Sequence, residues 1–141
     1  MSHVEHTTLD PLGADESRAL LMTAEIGRLA FTDEHGPTVE PFGFALEGPH
    51  VVIAVGARSG ARAAVGQAVA FQVDELDLVH RTGWSVVAVG TLHRADPETS
   101  ARPEPWPGGD DERALLVVRV ERLSGRRLRR DPRRAEPSAS R

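Results

Sequence analysis

The sequence of 141 residues contains no cysteine, tyrosine, lysine or asparagine. Without cysteine, disulfides, thiolate metal sites and cysteine nucleophiles are excluded. Without tyrosine and lysine, the chain has no phenolic general acid, no Schiff-base amine and no phosphate-binding lysine of the Walker type. All 17 cationic side chains are therefore arginine. Anion recognition must come from guanidinium, hydroxyl or backbone N–H groups.

Long hydrophobic runs are also missing. No segment approaches the roughly 20 apolar residues that a membrane-spanning helix needs. The first ten residues lack the apolar core of a secretory signal. The six histidines show no HxH or HExxH spacing, so no metal site is predicted. These absences favour a cytoplasmic protein with no membrane partner.

Charge is distributed unevenly along the chain. Residues 119–141 hold nine arginines and three acidic residues, a net charge of +6, whereas residues 1–118 carry −10. Such an acidic body is a poor electrostatic match for nucleic acid, so a nucleic-acid partner is not favoured. The alternative is that the arginine run at residues 126–134 binds RNA, DNA or an acidic protein. A solvated tail is favoured because few aromatic residues accompany the arginines.

The length and the 40% content of hydrophobic residues suit a single globular domain. Residues 1–11 are polar and are predicted to form a flexible N-terminus. Residues 129–141 are rich in Arg, Pro and Ser, which predicts a disordered tail. The folded domain is therefore expected over residues 12–128.

Two helices are predicted. Apolar residues at helical spacing indicate an amphipathic helix of about three turns over residues 16–25, capped by Asp10 or Asp15. An alanine-rich piece at residues 59–65 predicts a second, short helix that ends at Gly66.

Six segments have the apolar patterning of β-strands, with turn residues between the first three. They cover residues 26–32, 38–46, 50–55, 68–74, 83–93 and 114–123. Short strands that mostly follow one another at about ten-residue intervals favour a small antiparallel barrel or sandwich over a parallel sheet.

An anion site is predicted where the third of these strands leads into the short helix. Ser59 is positioned to cap that helix, whose first N–H groups carry partial positive charge. Arg58 and Arg62 stand four residues apart and repel each other. A phosphate between them would compensate this arrangement. The alternative is that both arginines point into solvent, or that one pairs with the acidic residues at 74–75.

Two further segments have features of ligand-binding sites. Trp84 and Ser85 begin a strand, where a Trp can border a planar ligand, although it more often fills the core. Pro41, Phe42 and Gly43 lie inside a strand, where proline implies an edge or a bulge. Glycine there lets a ligand or a second backbone approach closely.

Four motifs, in order, resemble the pyridoxamine 5'-phosphate oxidase-like family. They are IGRLAF at residues 26–31, VAFQVD at 69–74, TGWSVV at 82–87 followed by Gly90, and LSGRRL at 123–128. The resemblance implies a mainly β fold, a six-stranded antiparallel split β-barrel with a short N-terminal helix and one small helix after the third strand. It also implies a homodimer that binds flavin mononucleotide (FMN) at the subunit interface.

The resemblance assigns three groups of residues to the cofactor. The phosphate group is Arg58, Ser59, Gly60, Ala61 and Arg62; the ring group is Pro41, Phe42 and Gly43; the neighbouring subunit supplies Trp84 and Ser85. Arg126 is a further candidate contact, and Trp106 is a candidate lid. No catalytic acid or base is named, because flavin chemistry can proceed without one.

The sequence departs from the family pattern at two places. Arg62 stands where the family's phosphate loop often has lysine, and Gly43-Phe44 replaces an Asn-Tyr pair near the ring. The function that this pattern favours is an FMN-dependent oxidoreductase with a small organic substrate. The alternative is a non-catalytic protein of the same fold that holds flavin, haem or a deazaflavin coenzyme.

Overall fold

A computed structural model describes residues 6–105 and 113–131 of the chain. This part contains seven β-strands, one α-helix and one 3-10 helix. In chain order they are β1 (His6–Leu12), α1 (Ala14–Leu21), β2 (Ile26–Asp33), β3 (Gly36–Glu47), β4 (His50–Gly56), the 3-10 helix (Gly60–Ala64), β5 (Ala68–Asp77), β6 (Thr82–Arg94) and β7 (Arg113–Asp131).

Six of the strands close into a ring. All neighbours are antiparallel, in the order β7-β4-β3-β2-β5-β6, and β6 pairs back onto β7. Strand β7 makes this closure possible because it is 19 residues long: its residues 113–118 pair with β4, and its residues 116–128 pair with β6. Closure satisfies the hydrogen-bonding edges that an open sheet would expose. The expected antiparallel split barrel is confirmed.

The barrel interior is apolar and follows from the alternation of the strands. In β2, Leu29 and Phe31 are buried while their neighbours are exposed. Strand β4 is buried on both faces, which explains its continuous apolar run. At the centre, the rings of Phe44 and Phe71 meet edge to face, with centroids 5.1 Å apart. Burial of one such side chain stabilises the fold by about 1.5–3 kcal/mol.

The N-terminal segment differs from the prediction. Residues 6–12 form strand β1 and pair with the end of β7, where a flexible terminus was expected. Asp10 does not cap a helix; its carboxylate accepts a hydrogen bond of 2.7 Å from Arg129 Nε. Helix α1 begins at Ala14 and is capped by Gly13, so the predicted caps and the predicted length were wrong. Local patterning does not reveal a strand whose partner lies more than 100 residues away.

The C-terminal end of the domain also lies further along than expected. Strand β7 continues through Asp131, so residues 129–131 are strand rather than part of a disordered tail. The rest of the predicted tail lies outside the described residues.

Helix α1 packs on β6 and β7. Ser17 and Leu21 are its buried residues, and Ser17 lies against Gly125 of β7. The Arg18 guanidinium donates a hydrogen bond to the Gly48 carbonyl in the turn between β3 and β4. This helix and the 3-10 helix, the two in the described part of the chain, are too short to cross a bilayer.

Candidate functional site

The segment after β4 folds at its start as the sequence predicts. Ser59 is the N-cap, and its Oγ accepts a hydrogen bond of 3.0 Å from the backbone N–H of Ala61. The element that follows is a 3-10 helix of five residues rather than an α-helix. Ala61 is fully buried, whereas Arg58 and Gly60 are exposed. The exposed side of this turn is therefore Arg58 and the backbone at Gly60.

Ser59 also joins this turn to strand β3. Its hydroxyl donates a hydrogen bond of 2.6 Å to Glu40 Oε1, across a separation of 19 residues. Glu40 directly precedes Pro41, so the bond brings the predicted phosphate segment (residues 58–62) next to the predicted ring segment (residues 41–43). It also places a carboxylate beside the helix start, which offsets part of the positive charge. Sequence reasoning missed Glu40 because no local pattern links the two segments.

Arg62 has a structural role in this turn. Its Nε donates to the Gly56 carbonyl at 3.1 Å, and its Nη2 donates to the Val55 carbonyl at 3.3 Å. These carbonyls compensate the guanidinium without an anion. Arg58, by contrast, forms no hydrogen bond or ion pair within the described ranges. Of the two arginines, Arg58 is therefore the one that is exposed and available to an anion.

Gly43 is covered by another part of the chain. A β-carbon at Gly43 would collide with the carbonyl oxygen of Glu104, so the segment between β6 and β7 lies directly on this face of β3. Of the two possibilities left open by the sequence, a ligand or a second backbone, the structure shows the backbone. Phe42 is in the core, with 4% of its surface exposed, whereas Pro41 is exposed.

This covering segment (residues 95–105) is held by Glu47 at the end of β3. Glu47 Oε1 accepts hydrogen bonds from Ser100 N at 2.8 Å, from Ser100 Oγ at 3.0 Å and from Ala101 N at 2.7 Å. The backbone N–H of Ala101 and then that of Ser100 lower the pKa of Glu47 below its usual value of 4.5. Glu47 therefore binds the segment in its ionised form. The candidate lid residue Trp106 lies outside the described residues.

Trp84 and Ser85 lie on β6 and separate into different environments. Trp84 belongs to the core and is 6% exposed. Ser85 accepts a hydrogen bond of 3.2 Å from Gln72 Nε2 and is the register partner of Arg126 on β7. Ser85 and Arg126 line the same surface pocket of about 310 Å³. The sequence carried both residues over from the family, and the structure brings them together.

Strands β2 and β5 separate β6 from β3 in the ring. Within one chain, the structure therefore places Trp84 and Ser85 apart from the two segments joined by Glu40.

In the described part of the chain, no three carboxylate or imidazole groups are placed to hold a metal ion. The parts of the candidate site that a ligand can reach from solvent are Arg58, the turn capped by Ser59, and Pro41.

The ring of six antiparallel strands, with a short helix between β4 and β5, defines a split β-barrel protein. Residues 13–127 match the model of a family described as pyridoxamine 5'-phosphate oxidase. The chain belongs to this family.

The similar proteins are one curated sequence relative and several solved structures. An uncharacterized protein of Mycobacterium tuberculosis, Rv0080, is 32% identical over an alignment of 135 residues, which covers 86% of this chain and 87% of that protein. The FAD-binding protein of Mycobacterium smegmatis superposes with a TM-score of 0.69 at 21% identity, covering 85% of this chain and 98% of the other. An FAD- and haem-binding protein of the same organism superposes with a TM-score of 0.62 at 17% identity, covering 82% and 72%. At these identities, the structural likeness shows the fold.

Proposed function

We propose that this protein binds FMN and uses it to oxidise or reduce a small organic substrate. The observation that carries the proposal is the exposed Arg58 beside the capped turn at Ser59, where the family's phosphate loop is expected. Family membership and the FAD-binding protein of the same fold support a flavin. A bound flavin would supply the hydride chemistry, while the chain binds it, orients it and shields it from water.

The residues of the turn fit a phosphate group. Arg58 has no partner in the described ranges, so its guanidinium is available for a bidentate contact. Gly60 is exposed at the helix start, where a backbone N–H can donate to an anion. Arg62 positions the turn through the carbonyls of β4. Glu40 opposes an anion at this point, so Arg58 is the principal cation in the proposal.

The ring of the flavin would lie against the exposed part of β3. Because Glu104 covers Gly43 and Phe42 is buried, Pro41 is the accessible member of the predicted ring segment. The pocket lined by Ser85 and Arg126 lies on β6 and β7, away from Pro41 on β3. Ser85 can therefore border a flavin bound at Pro41 only if it comes from a second copy of the chain. The proposal therefore includes a homodimer, in which Ser85 of the partner subunit borders the ring.

The oligomeric state provides a direct check on this part. Light scattering on a size-exclusion column should give about twice the 15.2 kDa mass of the chain. A monomer, both with and without added FMN, would contradict the interface site.

The phosphate role of Arg58 is tested by comparing FMN with riboflavin, which lacks the phosphate. Fluorescence titration of Arg58→Ala should show FMN affinity lowered about tenfold, with riboflavin affinity unchanged. Arg122→Ala is the matched control, since Arg122 is an exposed arginine on β7. Equal FMN affinity in the two variants, or equal affinity of the wild type for FMN and riboflavin, would overturn the proposal.

The second candidate function is a binding protein of the same fold without turnover, for flavin, haem or a deazaflavin coenzyme. The coverage of Gly43 favours it, because that backbone leaves less room for a substrate over β3. An FAD- and haem-binding protein of this fold also supports it. The enzyme and the binding protein are distinguished by reducing the cofactor-loaded protein with nicotinamide coenzymes or dithionite and then screening for substrates. Turnover with any substrate supports the enzyme, and inertness of the fully loaded protein supports the binding role.

A further inference from the structure

We propose that a separate pocket on the outer face of β4 and β7 binds a small organic monoanion with an apolar body. This β4–β7 pocket has a volume of about 290 Å³ and is lined by the side chains discussed below. At about 30 Å³ per water molecule, that is the space of roughly ten waters. A compact ring carrying one carboxylate or sulfonate is of this size.

The floor of the pocket is apolar. Val52 of β4 and Val117 of β7 are register partners, and both line the pocket. Their chain neighbours Val51 and Val118 belong to the core, so Val52 and Val117 face outward. Val52 is nevertheless only 1% exposed. Its neighbours therefore already cover Val52, and the half-buried Val117 supplies the apolar surface that a ligand can reach.

Three side chains of the pocket can donate hydrogen bonds to a ligand. Arg94 and Arg119 both line it, and neither forms a hydrogen bond or ion pair with the rest of the described chain. The third donor is His50, whose Nδ1 accepts a hydrogen bond of 3.1 Å from the backbone N–H of Val120. In the neutral ring this leaves the proton on Nε2, as a donor.

The two carboxylates of the pocket are already used by the covering segment. Glu47 Oε1 holds Ser100 and Ala101, as described above. Asp96 Oδ1 accepts hydrogen bonds from Glu98 N at 2.9 Å and from Thr99 Oγ1 at 3.3 Å. These bonds shape the wall of the pocket. Because neither carboxylate pairs with Arg94 or Arg119, both exposed guanidiniums are available to the acceptors of a ligand.

The charge of the lining limits the ligand to one negative charge. Arg94 and Arg119 contribute two positive charges and Glu47 and Asp96 two negative charges, so the empty pocket is close to neutral. We therefore expect moderate affinity, with a dissociation constant of roughly 0.1–1 mM for a ligand of this size.

This pocket is distinct from the proposed cofactor turn. His50 begins β4 at the pocket, and Gly56 ends β4 beside the turn. At about 3.3 Å per residue, the two ends of the strand are roughly 20 Å apart. The inference therefore does not depend on FMN binding.

The test uses two organic monoanions, benzoate and benzenesulfonate, titrated into the full chain by calorimetry and by methyl NMR. Both should bind, and the methyl signals of Val52 and Val117 should shift. Arg94→Gln and Arg119→Gln should each weaken binding at least fivefold, whereas the exposed Arg122→Gln control should not. FMN affinity is measured on every variant and should stay unchanged, which separates this site from the cofactor site.

Three results would overturn the proposal. The first is that benzoate and benzenesulfonate fail to bind at about 10 mM. The second is that Arg122→Gln weakens binding as much as Arg119→Gln, which would indicate general charge attraction. The third is that benzamide, which is uncharged, or acetate, which has no ring, binds as tightly as benzoate. The guanidiniums would then not select the charge, or the apolar floor would not be used.

Discussion

The carbonyl oxygen of Glu104 lies directly against Gly43, in the space that a β-carbon would occupy. The covering segment can therefore lie on β3 only because residue 43 is glycine. In its middle, the same segment is held by the Glu47 carboxylate. A glycine and an ionised glutamate four residues apart on one strand thus hold the covering segment on the barrel.

Substitution of Gly43 should displace the covering segment. Gly43→Ala is expected to lower the free energy of unfolding by about 1–3 kcal/mol, because backbone on both sides must move to admit the methyl group. Gly60→Ala is the matched control, since a β-carbon there meets ordinary contacts, 3.6 Å from the Phe31 ring. Urea denaturation of both variants measures the difference. Equal stability of the two variants would contradict the contact between Glu104 and Gly43.

The hydrogen bonds from Ser100 and Ala101 to the Glu47 carboxylate, called the Glu47 latch below, should make the stability of the protein depend on pH in the acidic range. The folded-state pKa of Glu47 is lowered, so its contribution is fully present above about pH 5 and is lost as pH falls below 4.5 through the lowered pKa. Glu47→Gln removes the ionisation. The Tm of the wild type should exceed that of Glu47→Gln most at pH 6, and the gap should close toward pH 3. Glu34→Gln, at a side chain that is 87% exposed, is the control and should show no such gap. A gap for Glu47→Gln that does not change with pH would refute the latch.

Removal of the cap should loosen the turn after β4. Ser59→Ala loses the bond to Ala61 N and the bond to Glu40, and it is expected to cost about 1 kcal/mol of stability. Ser59→Thr keeps a hydroxyl and should recover most of this loss. Ser124→Ala, at an exposed serine on β7, should be close to neutral. Chemical denaturation ranks the three variants; a Ser59→Ala protein as stable as Ser124→Ala would count against the cap.

Substitution of Trp84 should lower the stability of the fold, whether or not a ligand binds. Trp84→Ala is expected to cost about 3–5 kcal/mol because the ring belongs to the core, and Trp84→Phe should cost less. The measurement is urea denaturation, with FMN affinity determined on the folded variants. An unchanged stability of Trp84→Ala together with lost FMN binding would instead make Trp84 a cofactor contact.

The six ring strands could be predicted because alternating burial leaves a local signature. Leu29 and Phe31 show it in β2, and the continuous apolar run from Val51 to Val55 shows it in β4. Strand β1 has no such signature. It forms because its backbone pairs with β7, which is distant in sequence; Leu9, for example, is the register partner of Leu128.

The candidate site was predictable only in its local part. The Ser59 cap follows from residues that are neighbours in sequence. The bond from Ser59 to Glu40, the Arg62 contacts with carbonyls of β4 and the Glu104 backbone on Gly43 all depend on how distant segments meet. Charge repulsion between two arginines indicated an anion, but the sequence could not show that backbone carbonyls already compensate one of them.

The central claim, that this family member binds a flavin through Arg58, is tested most directly by the small molecule released from the purified protein. Its absorbance spectrum and mass should identify FMN at about one per chain after incubation with excess FMN, with lower occupancy in Arg58→Ala than in Arg122→Ala. Absence of any bound flavin from the folded wild type, both as purified and after that incubation, would contradict the account.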